Sequence, residues 1–258
     1  MDSILLDIKD GIANITLNRP QVYNSFNRGM SSQMQEALKK CDADKSVRVI
    51  YITGEGKGFC AGQDLGEATD PSGPELRAIV RDHYNPMIRL IREIEKPVVA
   101  GVNGIAAGAG ANVALACDIV VATESASFIQ AFSKIGLIPD SGGTFFLPRL
   151  IGFQRAIAYM MLADNISAKE AAEMGMIYKC FADADFENEV NAIVQKLASL
   201  PTRGLGLTKK ALNLSMYNDL KSQLDVEEDL QTEAGQTHDF REGVAAFLEK
   251  RKPVFKGE

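Results

Sequence analysis

The sequence predicts an α/β fold built around a parallel sheet. Three runs carry that expectation: VRVIYIT (47–53), PVVAGVNG (97–104) and DIVVAT (118–123) are apolar and rich in β-branched residues, as strands covered on both faces are. Stretches of helical periodicity lie between them, so strand and helix alternate in the way parallel pairing requires. With 46% hydrophobic and 24% charged residues in a chain of 258, there is ample material for a sizeable core.

The elements follow in order. Residues 3–8 and 12–17 read as strands joined by Asp10-Gly11, a two-residue hairpin signal. Asn27 opens a helix on which Met30, Met34, Ala37, Leu38 and Cys41 recur at spacings of three and four. The first buried strand leads into the loop GEGKGFCAGQD, and an amphipathic helix over 75–95 ends at Lys96-Pro97. The small-residue stretch AAGAGANVALAC separates the second and third strands. Beyond Ser167 only 177–181 is strand-like, and 183–250 reads as helical, with Val190, Ile193, Val194 and Leu197 on one face. We expect a core domain over 1–195 and a helical region over 196–258 that packs on the core or builds a subunit interface.

Composition excludes several functions. Lys and Arg number 28 against 34 Asp and Glu, and the longest basic run is Lys250-Arg251-Lys252, so no nucleic-acid partner is expected. Cys41, Cys60, Cys117 and Cys180 form no CxxC pair and the histidines are only His83 and His238, so no metal is expected. Asp2 and Asp7 interrupt the apolar start and no run of about 18 apolar residues occurs, so neither a signal peptide nor a membrane span is expected. Four reduced thiols suit the cytoplasm. GxSxG, HExxH and GxxxxGK[ST] motifs are absent, and GAGANV lacks the third glycine of a dinucleotide fingerprint. His83, between Asp82 and Tyr84, reads as a surface residue of a polar helix.

Two glycine-rich turns directly follow buried strands: Cys60-Ala61-Gly62-Gln63-Asp64 and the stretch from Gly104 to Gly110. In an α/β core ligands gather at such strand ends, and the second turn runs into a helix N-terminus that favours negative charge. One N–H from each turn would hold a carbonyl oxygen that gains charge; tight turns and close packing alone explain the same glycines. Asp140 is the single carboxylate of the apolar stretch LIPDSGGTFFLPRL (137–150). It reads either as a turn or cap residue or as a general base whose apolar neighbours raise its pKa.

Five segments, NRPQVYNSFN (18–27), GKGFCAGQDL (56–65), KPVVAGVNGIAAGAGANVALACDIVVA (96–122), GLIPDSGGTFFLPRLIG (136–152) and AFLEKRKPVFKG (246–257), resemble in their order the enoyl-CoA hydratase/isomerase family, the crotonase superfamily. The resemblance implies a crotonase-like spiral of ββα units, a helical C-terminal trimerisation region, a homotrimer or dimer of trimers, and an acyl-CoA thioester as substrate, with no separate cofactor. It assigns the carbonyl-binding amides to Gln63 and Ala109, the latter at a family glycine position. It assigns coenzyme A contacts to Ala61, Gly62, Asp64 and Leu65, and to Phe247 and Lys250 reaching a neighbouring subunit. Family hydratases carry glutamates where this sequence has Asn112 and Phe132, so ordinary hydration is not expected. The GLIPDSGGT segment resembles the isomerase branch, which places Asp140 as the base, for shifting a 3,4-double bond to 2,3 or opening a ring epoxide to an oxepin. Asn112, Phe132, Leu137, Ile138 and Phe145 are expected to line the acyl pocket.

Overall fold

The computed structural model describes residues 2–258. Asp10 and Gly11 both adopt positive φ, 52° and 80°, which matches a two-residue turn to the twist of the flanking strands. The hairpin therefore closes as expected, β1 (Ile4–Lys9) antiparallel to β2 (Ile12–Leu17) with Ile4 opposite Leu17. Next come α1 (Arg28–Ala43), capped by Asn27, which accepts the Met30 N–H at 2.9 Å, then β3 (Val49–Gly54) and β4 (Gly58–Cys60). The short helices α2 (Leu65–Ala68) and α3 (Leu76–Ala78) lead into a π-helical turn over Ile79–Tyr84 and then α4 (Asn85–Glu93). Where one helix was expected over 75–95, the Asn85 N–H reaches back five residues to the Val80 carbonyl, and Pro86 after it has no N–H to donate.

The chain continues through β5 (Val98–Val102), β6 (Ile105–Ala107), α5 (Ala109–Leu115), β7 (Ile119–Thr123) and β8 (Ser127–Ile129). After α6 (Gly143–Ile151) and α7 (Phe153–Leu162) come β9 (Asn165–Ser167), α8 (Ala168–Glu173) and β10 (Lys179–Phe181). Helices α9 (Phe186–Ser199), α10 (Thr202–Ser215), α11 (Leu220–Gly235) and α12 (His238–Glu249) complete it. One sheet runs β1-β2-β3-β5-β7-β10, parallel from β2 onward; the second runs β4-β6-β8-β9. The strand expected over 97–104 ends at Val102 before a bend at Asn103, whose side chain donates to the Gly54 and Gly56 carbonyls and accepts the Gly54 N–H, and β6 lies beyond it, in the stretch read as a glycine-rich turn.

The main core fills one face of the larger sheet, where Phe26, Met30, Met34, Leu38, Tyr84 and Ile91 pack on Ile15, Ile50 and Val98. On the other face Phe186, Val190 and Val194 of α9 cover Val49, Val99 and Val121. The expected division between residues 195 and 196 thus falls inside α9, a helix bound to the sheet. Further on, α10 is anchored by Lys209, 8% exposed, whose ammonium meets Asp118 at 2.8 Å and the Ile91 carbonyl at 2.7 Å, while Arg92 bonds Asp118 from the other side at 3.2 Å. No helix among the described residues is long and apolar enough to cross a membrane.

Candidate active site

Two turns meet at the ends of β4 and β6. At the first, the Gly62 carbonyl accepts the Phe26 N–H at 2.7 Å and the Phe26 carbonyl accepts the Asp64 N–H at 2.8 Å. A trans peptide points its C=O and its N–H in opposite directions. With its oxygen turned to Phe26, the Gly62–Gln63 peptide leaves the Gln63 N–H facing away, without an acceptor among the described residues. Gly62 holds φ +90°, and a β-carbon there would lie 2.9 Å from the Ala107 oxygen and 3.4 Å from the Ala109 nitrogen. Only glycine serves where both the dihedral and the neighbouring turn forbid a side chain.

At the second turn Gly108, φ +53°, leads into α5, and its carbonyl accepts the Asn112 N–H at 3.2 Å. Ala109 is the first residue of that helix, so its N–H belongs to the donors that no helical carbonyl can satisfy. It too has no acceptor among the described residues. Gln63 and Ala109 therefore present two free N–H groups from touching segments, one of them at the positive end of a helix dipole. The buried Phe132 covers this turn; a β-carbon on Gly108 would meet its ring at 3.8 Å.

Asp140 stands on a third turn, in front of α6. Ser141 and Gly142 follow it with φ of 52° and 77°, and the Gly143 N–H closes on the Asp140 carbonyl at 2.8 Å. The carboxyl is half-buried, and burial raises its pKa above the ordinary carboxylate range, while the Ser141 hydroxyl, donating at 2.9 Å, pulls it back. Buried Tyr84 donates to Gln63 Oε1 at 3.1 Å; its phenol is pushed well up by burial first, then by Cys60, Asp140 and Glu67 nearby. The acid thus lies within electrostatic reach of the residue that touches Gln63.

Several expected site residues do other work. Asn112 does not line a pocket: it is fully buried, donating Nδ2 to the Asp140 carbonyl at 2.9 Å and accepting from Gln130 Nε2 at 2.8 Å. Phe145 lies between Tyr217, whose ring it stacks on at 5.7 Å, and Arg149, 3.8 Å above it, on a cavity of about 620 Å³ between α4, α6 and α10. Ile138, 80% exposed, and Leu137, partly exposed, lie between left-handed Gly136 and Pro139. Both Asp64 carboxylate oxygens are committed, one to Arg19 at 2.9 Å and one to the Gly66 N–H at 3.0 Å, and Leu65 is exposed. The Ala61 N–H is bound to the Tyr23 carbonyl at 2.9 Å. Phe247, 83% exposed, borders an apolar groove with Pro201, Phe240, Val244 and Phe255, and Lys250 closes α12 in a left-handed conformation; that groove contains neither turn nor Asp140.

His83 is not a surface residue. It is buried on the π-helical turn, its Nδ1 unpartnered among the described residues, and desolvation lowers its pKa. Sequence reasoning passed over Tyr84 and Gln130. The only signal for Gln130, now 1% exposed, was one amide set in the apolar run SFIQAF.

Two open amides, one of them on the helix that Asn112 ties to the peptide of a poorly hydrated carboxyl, suit an enzyme of carbonyl compounds, which needs a resting place for charge on oxygen and a group to move a proton. The comparisons agree. The enoyl-CoA hydratase/isomerase family model matches residues 7–258, and the chain belongs to that family. It is 47% identical to 1,2-epoxyphenylacetyl-CoA isomerase of Escherichia coli (strain K12), over 100% of both chains. It is 46% identical to "Probable enoyl-CoA hydratase" of Rhodobacter capsulatus, covering 99% of this chain and 98% of that one. Among solved structures, enoyl-CoA hydratase from Bacillus anthracis superposes with a TM-score of 0.92 at 34% identity, covering 99% of this chain and 100% of that one.

Proposed function

We propose that the protein is an acyl-CoA isomerase that uses no separate cofactor, with Asp140 as its proton carrier. The thioester oxygen sits between the Gln63 and Ala109 N–H groups, an oxyanion hole. Asp140 takes a proton from C2 of a 3-enoyl-CoA, the electron pair spreads over the dienolate to the held oxygen, and the same proton returns at C4. The double bond has moved from 3,4 to 2,3, the acid is again a carboxylate, and nothing is consumed. The observation that carries this reading is the half-buried Asp140 carboxyl, its pKa raised and its own peptide bonded by Asn112 to the helix that starts with the free Ala109 N–H, with an amide and a phenyl ring where hydration needs carboxylates. The relative that opens a ring epoxide supports 2-(1,2-epoxy-1,2-dihydrophenyl)acetyl-CoA as the physiological substrate, the product being an oxepin.

The homotrimer or dimer of trimers belongs to the same proposal, with Phe247 and Lys250 of one copy meeting the nucleotide end of coenzyme A on the next. The solvent-facing Phe247, Leu248 and Val244 support it, since apolar side chains gathered on a surface mark a contact. A cytoplasmic location fits the free cysteines. Hydration is the second reading, favoured by the Rhodobacter capsulatus relative. One assay divides them. A 3-enoyl-CoA should gain conjugated-thioester absorbance under the enzyme, whereas rapid loss of that absorbance from crotonyl-CoA would overturn the isomerase reading.

A further inference from the structure

The acid's own peptide is gripped by a side chain. The Asp140 carbonyl accepts from Asn112 Nδ2 at 2.9 Å, and Asn112 Oδ1 accepts from Gln130 Nε2 at 2.8 Å; the two amides are 0% and 1% exposed. A carbonyl can only accept, so Asn112 must turn its NH₂ toward Asp140 and its oxygen toward Gln130, which must then present its own NH₂. The direction of the chain follows from the peptide at its end, and Gln130 Oε1 is left buried and unpartnered among the described residues. A β-carbon at Gly143 would lie 2.4 Å from Asn112 Nδ2, so the amide is wedged against the turn as well as bonded to it. Asn112 is also the fourth residue of α5, whose first is Ala109, so about 4.5 Å of helix axis joins the amide donor to the grip on the acid.

We infer that Asn112 and Gln130 are positioning residues, an amide relay that fixes the Asp140 peptide relative to the Ala109 N–H, and that position 112 must keep a donor for isomerisation. This deepens the isomerase reading and rests on it. A carboxylate at 112 would set acceptor against acceptor, releasing the 140–143 turn and excluding the acid's alignment. Hydratase-type and isomerase-type side chains at this position therefore compete for the same space.

Kinetics on a 3-enoyl-CoA test the relay. Asn112→Leu should lower kcat by about 30- to 100-fold while KM moves less than about threefold, the signature of a misplaced acid with binding kept. Asn112→Glu should lose kcat to a similar degree without gaining hydration of crotonyl-CoA. In the Asp140→Asn background, Asn112→Leu should cost nothing further, because it acts only through the acid. Gln130→Leu, one bond removed, should lose at least about fivefold in kcat and carries the test if position 112 variants fail to fold. An Asn112→Leu enzyme with kcat within twofold of the parent, or an undiminished effect in the Asp140→Asn background, overturns the relay. Parent-like turnover by Asp140→Asn would overturn the isomerase reading itself, so the two failures differ.

Discussion

In the isomerisation we propose, the paired glycine turns and the Asp140 turn serve one site by opposite means. At the first two, chemistry belongs to the backbone: Gln63 and Ala109 offer N–H groups, and the side chains only have to stay out of the way. At the third, chemistry belongs to a side chain whose character depends on poor hydration, on the Ser141 hydroxyl and on the bond to Asn112. A backbone donor survives replacement of its own residue, so the proposed role is compatible with alanine at 109. A carboxyl survives none.

The sharpest way to break that contrast is Asp140→Asn, which should lower kcat by about 10³- to 10⁴-fold with acyl-CoA affinity retained, read by steady-state turnover and calorimetric titration. It should also raise the melting temperature at neutral pH. A carboxyl whose folded pKa is raised contributes its stability below the unfolded-state value and loses it as pH climbs through the folded value, so ionised Asp140 costs stability that the amide does not. Ala109→Pro comes next: proline is tolerated at the first position of a helix but puts a ring methylene in place of the N–H, removing the donor and crowding the oxygen's seat, so kcat should drop by at least about 10²-fold while the fold persists by circular dichroism.

For the pH profile, kcat should rise through a limb above the usual carboxylate range as Asp140 ionises. Ser141→Ala removes a hydrogen bond to the charged form, so the limb should move to higher pH. Asp118→Ala probes the scaffold instead. Leaving Lys209 and Arg92 without their shared carboxylate should cost about 3 kcal/mol by chemical denaturation, with kcat per folded molecule unchanged. Ala109→Gly is the smallest: kcat within about twofold, because the donor remains and only helix propensity changes.

Strands β3, β5 and β7 were legible because burial on both faces demands unbroken apolar runs, and local pattern records that demand directly. The second sheet was not. Its strands are three residues long, too short for a period to register, and β6 fell inside the stretch read as a glycine-rich turn because the bend at Asn103 that starts it depends on bonds to Gly54 and Gly56, some fifty residues away. Asp140 stood out as a charge in apolar surroundings. The service of Asn112 did not, because an amide's identity says nothing about which carbonyl it will meet. His83 misled for a related reason: charged neighbours in sequence occupy other faces of a π-helical turn, so they report little about the imidazole's own surroundings.

Helix α5 has only seven residues, yet its first carries an open N–H and its fourth bonds the Asp140 peptide. The Gly108 carbonyl, which accepts the Asn112 N–H at 3.2 Å, closes the turn between those two members. The spacing from the open Ala109 N–H to the amide on the Asp140 peptide is thus written into one turn of backbone, as the jaws of a caliper hold a setting. A change that unwound this turn would alter both ends of the proposed chemistry at once.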